Sequence, residues 1–361
     1  MRWDLPIREY PGARVLRRHG LVGYPAEGIP LRIAIRLVQY LGTPREVVEL
    51  AVLAEQAGVD EIWIPHDPFM TSAWPLTAAI AERTSRVVIG NVGTNPYTTD
   101  PSEIATYLAT LDLLSNGRAA IGLGLHTGDM VEWLGYEAAD VGDRIAESVR
   151  MVRELLRGQT ATAGRWPYHW GESCHLRFEP LRPDPPIYVV AYGRDLLRLS
   201  GAIGDGSMPM ATPPASAGLL VEDVREGALA VGRDPRDVTV CACAWLSLAA
   251  DGAGADGQLR RMIATFGPYL EERALATIGL DASDFSEIRA LAERGRLDKA
   301  AALVTDEMLL LAISGTPEDV AGRIAALSSA GVDTVSLGGP LGPDPSEAIR
   351  LLGERVIPAL L

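Results

Sequence analysis

Several familiar chemistries are missing from this chain. No stretch approaches the ~18 consecutive apolar residues that a membrane-spanning helix needs, and residues 1–20 carry arginines but no apolar run that would read as a secretory signal. Cysteine is scarce: Cys174, Cys241 and Cys243 are the three in 361 residues. The count is odd, and Cys241 and Cys243 lie two apart, so on a strand they face the same side. Buried free thiols in a cytoplasmic protein are the expectation. His169, Cys174 and His175 sit among Trp166, Tyr168 and Trp170 without the spacing of a structural zinc site. No Gly-x-Ser-x-Gly elbow, Walker loop or Gly-rich dinucleotide fingerprint after the first strand is present. Positive charge is outweighed, with 33 Lys and Arg against 47 Asp and Glu for a net −14. Such a surface repels nucleic acid and anionic membranes, which leaves a small-molecule partner.

What is there is a strand–helix alternation. Strands are expected over 31–38, 61–65, 87–95, 119–126, 186–191, 205–210, 238–248 and 332–337. Helices follow over 43–58, 72–84, 102–115, 143–157, 194–203, 216–232, 316–330 and 346–359. Thr43-Pro44 and Thr316-Pro317-Glu318-Asp319 are start signals, and Gly58 is a stop. Eight βα units with right-handed crossovers predict an α/β fold, a (β/α)8 TIM barrel over 31–361. Residues 1–30 read as an extension, 158–183 as an excursion or hairpin, and 251–312 as an insertion of short helices.

Barrel enzymes use the carboxyl ends of their strands, so those ends supply the candidates. Strand two ends in Pro65-His66-Asp67-Pro68, where a histidine beside a carboxylate suits proton transfer; a structural histidine under the loop is the alternative. Strand three ends in Gly90-Asn91-Val92-Gly93-Thr94-Asn95-Pro96-Tyr97. Gly93 permits close approach of a flat ring, and Thr94 and Asn95 offer donors and acceptors, unless this is a plain turn. Strand four ends in Gly122-Leu123-Gly124-Leu125-His126-Thr127-Gly128-Asp129, a glycine-rich stretch resembling an anion loop. After strand five, Ala191-Tyr192-Gly193-Arg194 opens a helix whose N-terminus suits a phosphate; a simple cap with a surface arginine is the alternative.

These loops, in this order, resemble the luciferase-like monooxygenase superfamily, and within it the F420-dependent methylenetetrahydromethanopterin reductases. The resemblance is carried by Thr94-Asn95-Pro96-Tyr97, by 109–119 (ATLDLLSNGRA), Pro186-Ile187-Tyr188, Gly315-Thr316-Pro317 and 339–344 (GPLGPD). It implies a luciferase-like barrel holding coenzyme F420, or FMN in the flavin branch, with hydride transfer between deazaflavin C5 and a small organic substrate. It implies a bulge with a non-proline cis peptide at Val92–Gly93 behind the ring. His66, Thr94, Asn95, Leu125, His126 and Thr127 would surround the ring and ribityl chain, and Ala191, Gly193 and Arg194 would meet the phosphate. His66 or His126 would manage the proton, with Asp67 as second choice. It implies a homodimer paired through helices beside the first strands, to which Trp63, Trp74 and Tyr107 are candidates. The chain departs from the pattern in three places. His66-Asp67 reverses the usual Asp-His order, Arg36 stands where the reductases carry a carboxylate, and Thr127 stands where F420 enzymes often carry Glu, with Asp129 and Glu132 near. A barrel that binds cofactor without catalysis is the rival from another class.

Overall fold

The structure, a computed structural model, describes residues 31–125, 133–136, 140–161, 168, 170–171, 173–191, 193–209, 211–252 and 254–361. The extension 1–30 and the candidates His126 and Thr127 lie outside the described residues.

The strands are β1 (Arg32–Arg36), β2 (Glu61–Pro65), β3 (Val88–Thr94), β4 (Ala119–Gly124), β5 (Ile187–Val190), β6 (Gly206–Ser207), β7 (Thr239–Leu248), β8 (Ile313–Gly315) and β9 (Thr334–Leu341). All pair in parallel. The order β6-β5-β4-β3-β2-β1-β9-β7 closes through β6–β7 into a ring of eight. The short β8 is an addition: it lies outside the ring and pairs with the end of β7, Leu246 opposite Ile313. β6 is shorter than expected, because Met208 and Pro209 already belong to the loop, and β9 runs on to Leu341. Around the ring pack α1 (Pro44–Gln56), α2 (Ala73–Arg83), α3 (Pro101–Leu114), α4 (Val141–Leu156), α5 (Gly193–Ile203), α6 (Ala217–Ala230), α11 (Pro317–Ser329) and α12 (Pro345–Leu351). Both threonine starts are capping boxes: Thr43 with Glu46, and Thr316 with Asp319. No described helix is long and apolar enough to cross a membrane.

Alternation decides which side chains enter the barrel. Ile33, Ile35, Ile62 and Ile64 face outward onto the helices, whereas Ala34, Trp63, Val92, Tyr188, Met208, Cys241 and Cys243 form an inner cluster. Cys241 and Cys243 are free and fully buried, whereas Cys174 is free and half-buried. Trp63 meets Tyr188 edge-on, ring centroids 5.2 Å apart. Two glycines make room for them: a Cβ on Gly90 would stand 2.6 Å from the Trp63 ring, and one on Gly206 2.4 Å from the Tyr188 ring. Below them, the Trp63 indole N–H donates to Glu61 at 2.9 Å and Glu61 pairs with Arg32 at 2.7 Å, so the amino end of the barrel is filled. Trp63 is therefore interior and unavailable to a dimer interface, because the period-2 pattern of β2 turns it inward with Glu61.

The amino end also carries a repeated device. Asp60, Asp205 and Asp333 each precede a strand, and each accepts the backbone N–H of the first or second residue of a neighbouring strand: Ile33, Ile187 and Val240, at 2.8–2.9 Å. The turn Asn116-Gly117, with both residues at positive φ, sends Arg118 across to the carbonyls of Ala81, Thr84 and Val87. Buried Asp112 is gripped by Arg182. The segment 109–119 thus ties the barrel's lower rim together, remote from the open end.

Between β7 and β8 lie α7 (Ala255–Phe266), α8 (Glu272–Ala276), α9 (Ser286–Glu293) and α10 (Leu297–Ala302). They enclose an apolar centre of their own, including Leu259, Ile263, Leu275, Phe285, Ile288 and Met308, closed against Trp245 of β7. Among the described residues of 158–183 no strand or helix forms after the end of the fourth helix. Tyr168 and Trp170 instead lean on the loop after β3, donating to the Pro96 carbonyl and to Asp100.

Candidate active site

The open end is shaped first by β3. Asn91 pairs with Ile121 of β4 and Thr94 with Leu123, so β3 spends one more residue than its partner between these points. The bulge expected there is present. The cis peptide is not: Val92–Gly93 is trans, and the cis bond among the described residues is Gly339–Pro340. The extra residue is absorbed by Gly93 at φ 80°, a left-handed conformation that glycine adopts without a Cβ clash. Past the bulge Thr94 is fully buried, and its Oγ1 has no hydrogen-bond partner in the protein. Asn95 spends its side-chain oxygen on the Tyr97 N–H at 2.8 Å, an Asx turn that fixes the loop. Tyr97 donates to Asp140 at 2.6 Å, and burial together with that acceptor pushes its phenol up to about 12.

At the end of β2, the His66 N–H donates to the Val92 carbonyl at 2.8 Å, and its ring lies edge-on to Trp74 of α2. Trp74 in turn meets Tyr107 of α3 edge-on. His66 is thus held by an aromatic file on the helix side. Asp67, next in sequence, has Oδ1 shielded from solvent and without a protein hydrogen-bond donor. On β1, Arg36 is buried at the barrel's mouth: Nη2 donates to the Ala244 carbonyl at 3.1 Å, and its guanidinium fills the space that a side chain on Gly338 would need. Leu125 follows β4 and is half-buried.

On the far side of the mouth, Ala191 is buried and Gly193, at φ 80°, starts α5. Thr212, only 4% exposed, has an unpartnered Oγ1 and lines a cavity of about 50 Å³ with Ala191, Gly193, Pro209, Leu270 and Glu271. The guanidinium of Arg194 does not face this cavity. It pairs with Asp223 at 3.1 Å and Glu226 at 3.5 Å on α6, correcting the expectation that it meets the phosphate. Asp223 is buried and needs cationic partners; Arg273 of α8 supplies the second. What faces the cavity from this position is backbone, and the Arg194 N–H donates to the Glu271 carboxylate.

A trans bulge, two buried hydroxyls without partners and a helix N-terminus thus ring the carboxyl end of a closed parallel barrel. Residues 28–334 match the family described as luciferase-like monooxygenase. The chain belongs to the luciferase-like monooxygenase family. It is an oxidoreductase, as its relatives are. A 5,10-methylenetetrahydromethanopterin reductase of Archaeoglobus fulgidus is 30% identical over 315 residues, covering 85% of this chain and 93% of that one. An F420-dependent glucose-6-phosphate dehydrogenase of Amycolatopsis mediterranei is 29% identical over 342 residues, covering 88% and 95%. The solved coenzyme F420-dependent tetrahydromethanopterin reductase of Methanopyrus kandleri superposes with a TM-score of 0.86 at 26% identity, covering 92% of this chain and all of that one.

Within this luciferase-like barrel, Val92, Gly93, Thr94, Ala191 and Gly193 come to the open end, and His66 and Asp67 flank it. Asp223, Glu271 and Arg273 were not singled out by the sequence. Their signal is faint: Glu271-Glu272-Arg273 reads as an ordinary solvated run in a helical insertion, and only the tertiary fold brings it against Gly193.

The polar atoms present fit a flat heterocycle with a phosphorylated chain. Thr94 and Thr212 hold unsatisfied hydroxyls, Gly93 leaves backbone without a side chain in front of it, and the start of α5 offers N–H groups and the positive end of a dipole.

Proposed function

We propose that this protein is a coenzyme F420-dependent oxidoreductase that moves a hydride between C5 of the deazaflavin and a small organic substrate at the barrel's open end. The observation that carries the reading is the bulged end of β3, where Thr94 Oγ1 is buried without a protein partner beside a glycine at positive φ. A buried hydroxyl left unmade is costly, on the order of 1–3 kcal/mol, and a bound polar ring edge removes that cost. When bound, such a cofactor supplies a two-electron hydride donor or acceptor; the protein supplies orientation, exclusion of water and the proton.

Asp67 is the group proposed to hold the proton, since its shielded Oδ1 is free to accept one, while His66 is braced against Trp74 and sets the loop's course. The F420 assignment draws support from the relatives named above, which cover most of both chains.

Titration of cofactor-stripped protein with F420 and, separately, FMN tests the reading through quenching of each cofactor's fluorescence. Micromolar binding of F420 with weaker FMN binding is the expected result, and preferential binding of FMN overturns it.

A further inference from the structure

Among the described residues, Glu271 stands at the helix N-terminus that faces the open end, where an anion is well received. Its carboxylate accepts the Arg194 N–H at the start of the eleven-residue helix α5, and its Oε1 lies 3.4 Å from where a Cβ on Gly193 would sit. It lines the same cavity as the unpartnered hydroxyl of Thr212. Glu271 takes up part of this cavity, directly beside the helix start that a phosphate would use.

We infer that Glu271 is an internal competitor for the phosphate-binding end of α5, and that residues 267–276 act as a strap which a phosphorylated cofactor must displace. The inference rests on the cofactor reading above and adds to it the element that governs entry. Three further features support it. Burial raises the pKa of Glu271, and the Arg194 N–H only partly offsets this, so its charged form is somewhat disfavoured there. A phosphate brings more acceptor oxygens to the same N–H groups and the same dipole. Two anions cannot share that helix end at contact distance.

The strap also has a fixed foot. Arg273 pairs with buried Asp223, which holds Arg194 as well, while Arg273 Nε stands 3.6 Å from Glu271 Oε2. Withdrawal of Glu271 therefore pivots about the Arg273–Asp223 pair. Leu270, on the other side, lines the cavity and moves with it.

The test compares ligands that differ only in phosphate: F420 against its phosphate-free deazaflavin chromophore, and FMN against riboflavin, each titrated by fluorescence into wild type, Glu271→Gln and Glu271→Ala. The expected result is that both variants bind the phosphorylated member of each pair about tenfold tighter, while the phosphate-free member is unchanged. Hydrogen exchange of 267–276 should rise when F420 binds wild type. The Gln variant keeps the side chain's shape, so a folding defect in the Ala variant does not obscure the answer. Equal change for both members of a pair, or weaker binding of the phosphorylated one, overturns the inference. Absence of F420 binding to wild type instead strikes the cofactor reading, and the FMN–riboflavin pair and competition by inorganic phosphate then still report on Glu271.

Discussion

Thr94 and Asp67 each bury an oxygen that the protein leaves unsatisfied, and both belong to the proposed site. Thr94→Val keeps the volume and removes the hydroxyl. It should weaken cofactor binding by about three- to tenfold, the equivalent of one hydrogen bond, and leave the melting temperature within a degree or two of wild type; unchanged affinity by fluorescence titration sinks the role. Asp67→Asn should lower kcat by about 100-fold or more with little change in cofactor affinity, whereas His66→Ala should disturb both modestly through the loop. A pH–rate profile that keeps both limbs in Asp67→Asn would move the proton elsewhere. Thr94, Gly93 and Gly193 were legible in the sequence because glycines and a small hydroxyl at the end of an apolar strand have few other uses. The side-chain direction of Arg194 was not, because it is decided by Asp223, 29 positions later.

The strands and helices were largely legible from period and caps, and the departures have local causes. β6 ends early because Pro209 cannot donate to a ladder, and β8 exists because the insertion re-enters beside the overhanging end of β7. The segment 109–119, one of those that carry the family resemblance, laces the lower rim through Asp112 and Arg118. The three rim aspartates were not predicted; each is an unremarkable Asp before a strand until its neighbour's unpaired N–H is seen. Asp205→Ala should cost about 1–3 kcal/mol by leaving the Ile187 N–H unpaired and freeing Arg153, measured by urea unfolding, with cofactor affinity unchanged. An unaltered midpoint would show that water replaces the carboxylate.

Taken whole, the described residues form apolar centres between ring and helices and inside the ring, and another within the insertion. Phe285→Ala removes a large, fully buried side chain from the insertion's centre and should cost about 3–5 kcal/mol locally. Hydrogen exchange is expected to accelerate across 255–311 before it does in β1 to β5; uniform acceleration would mean that insertion and barrel unfold together. A homodimer stays the proposal for the assembled protein, without Trp63, and a monomer mass by light scattering overturns it. The filled lower barrel has a consequence for traffic. With Arg32, Glu61, Trp63 and Tyr188 stopping one end, the described residues leave the carboxyl end as the way in. Whatever seats deepest must arrive first and leave last, so the order of product departure is set by architecture before any rate constant is considered.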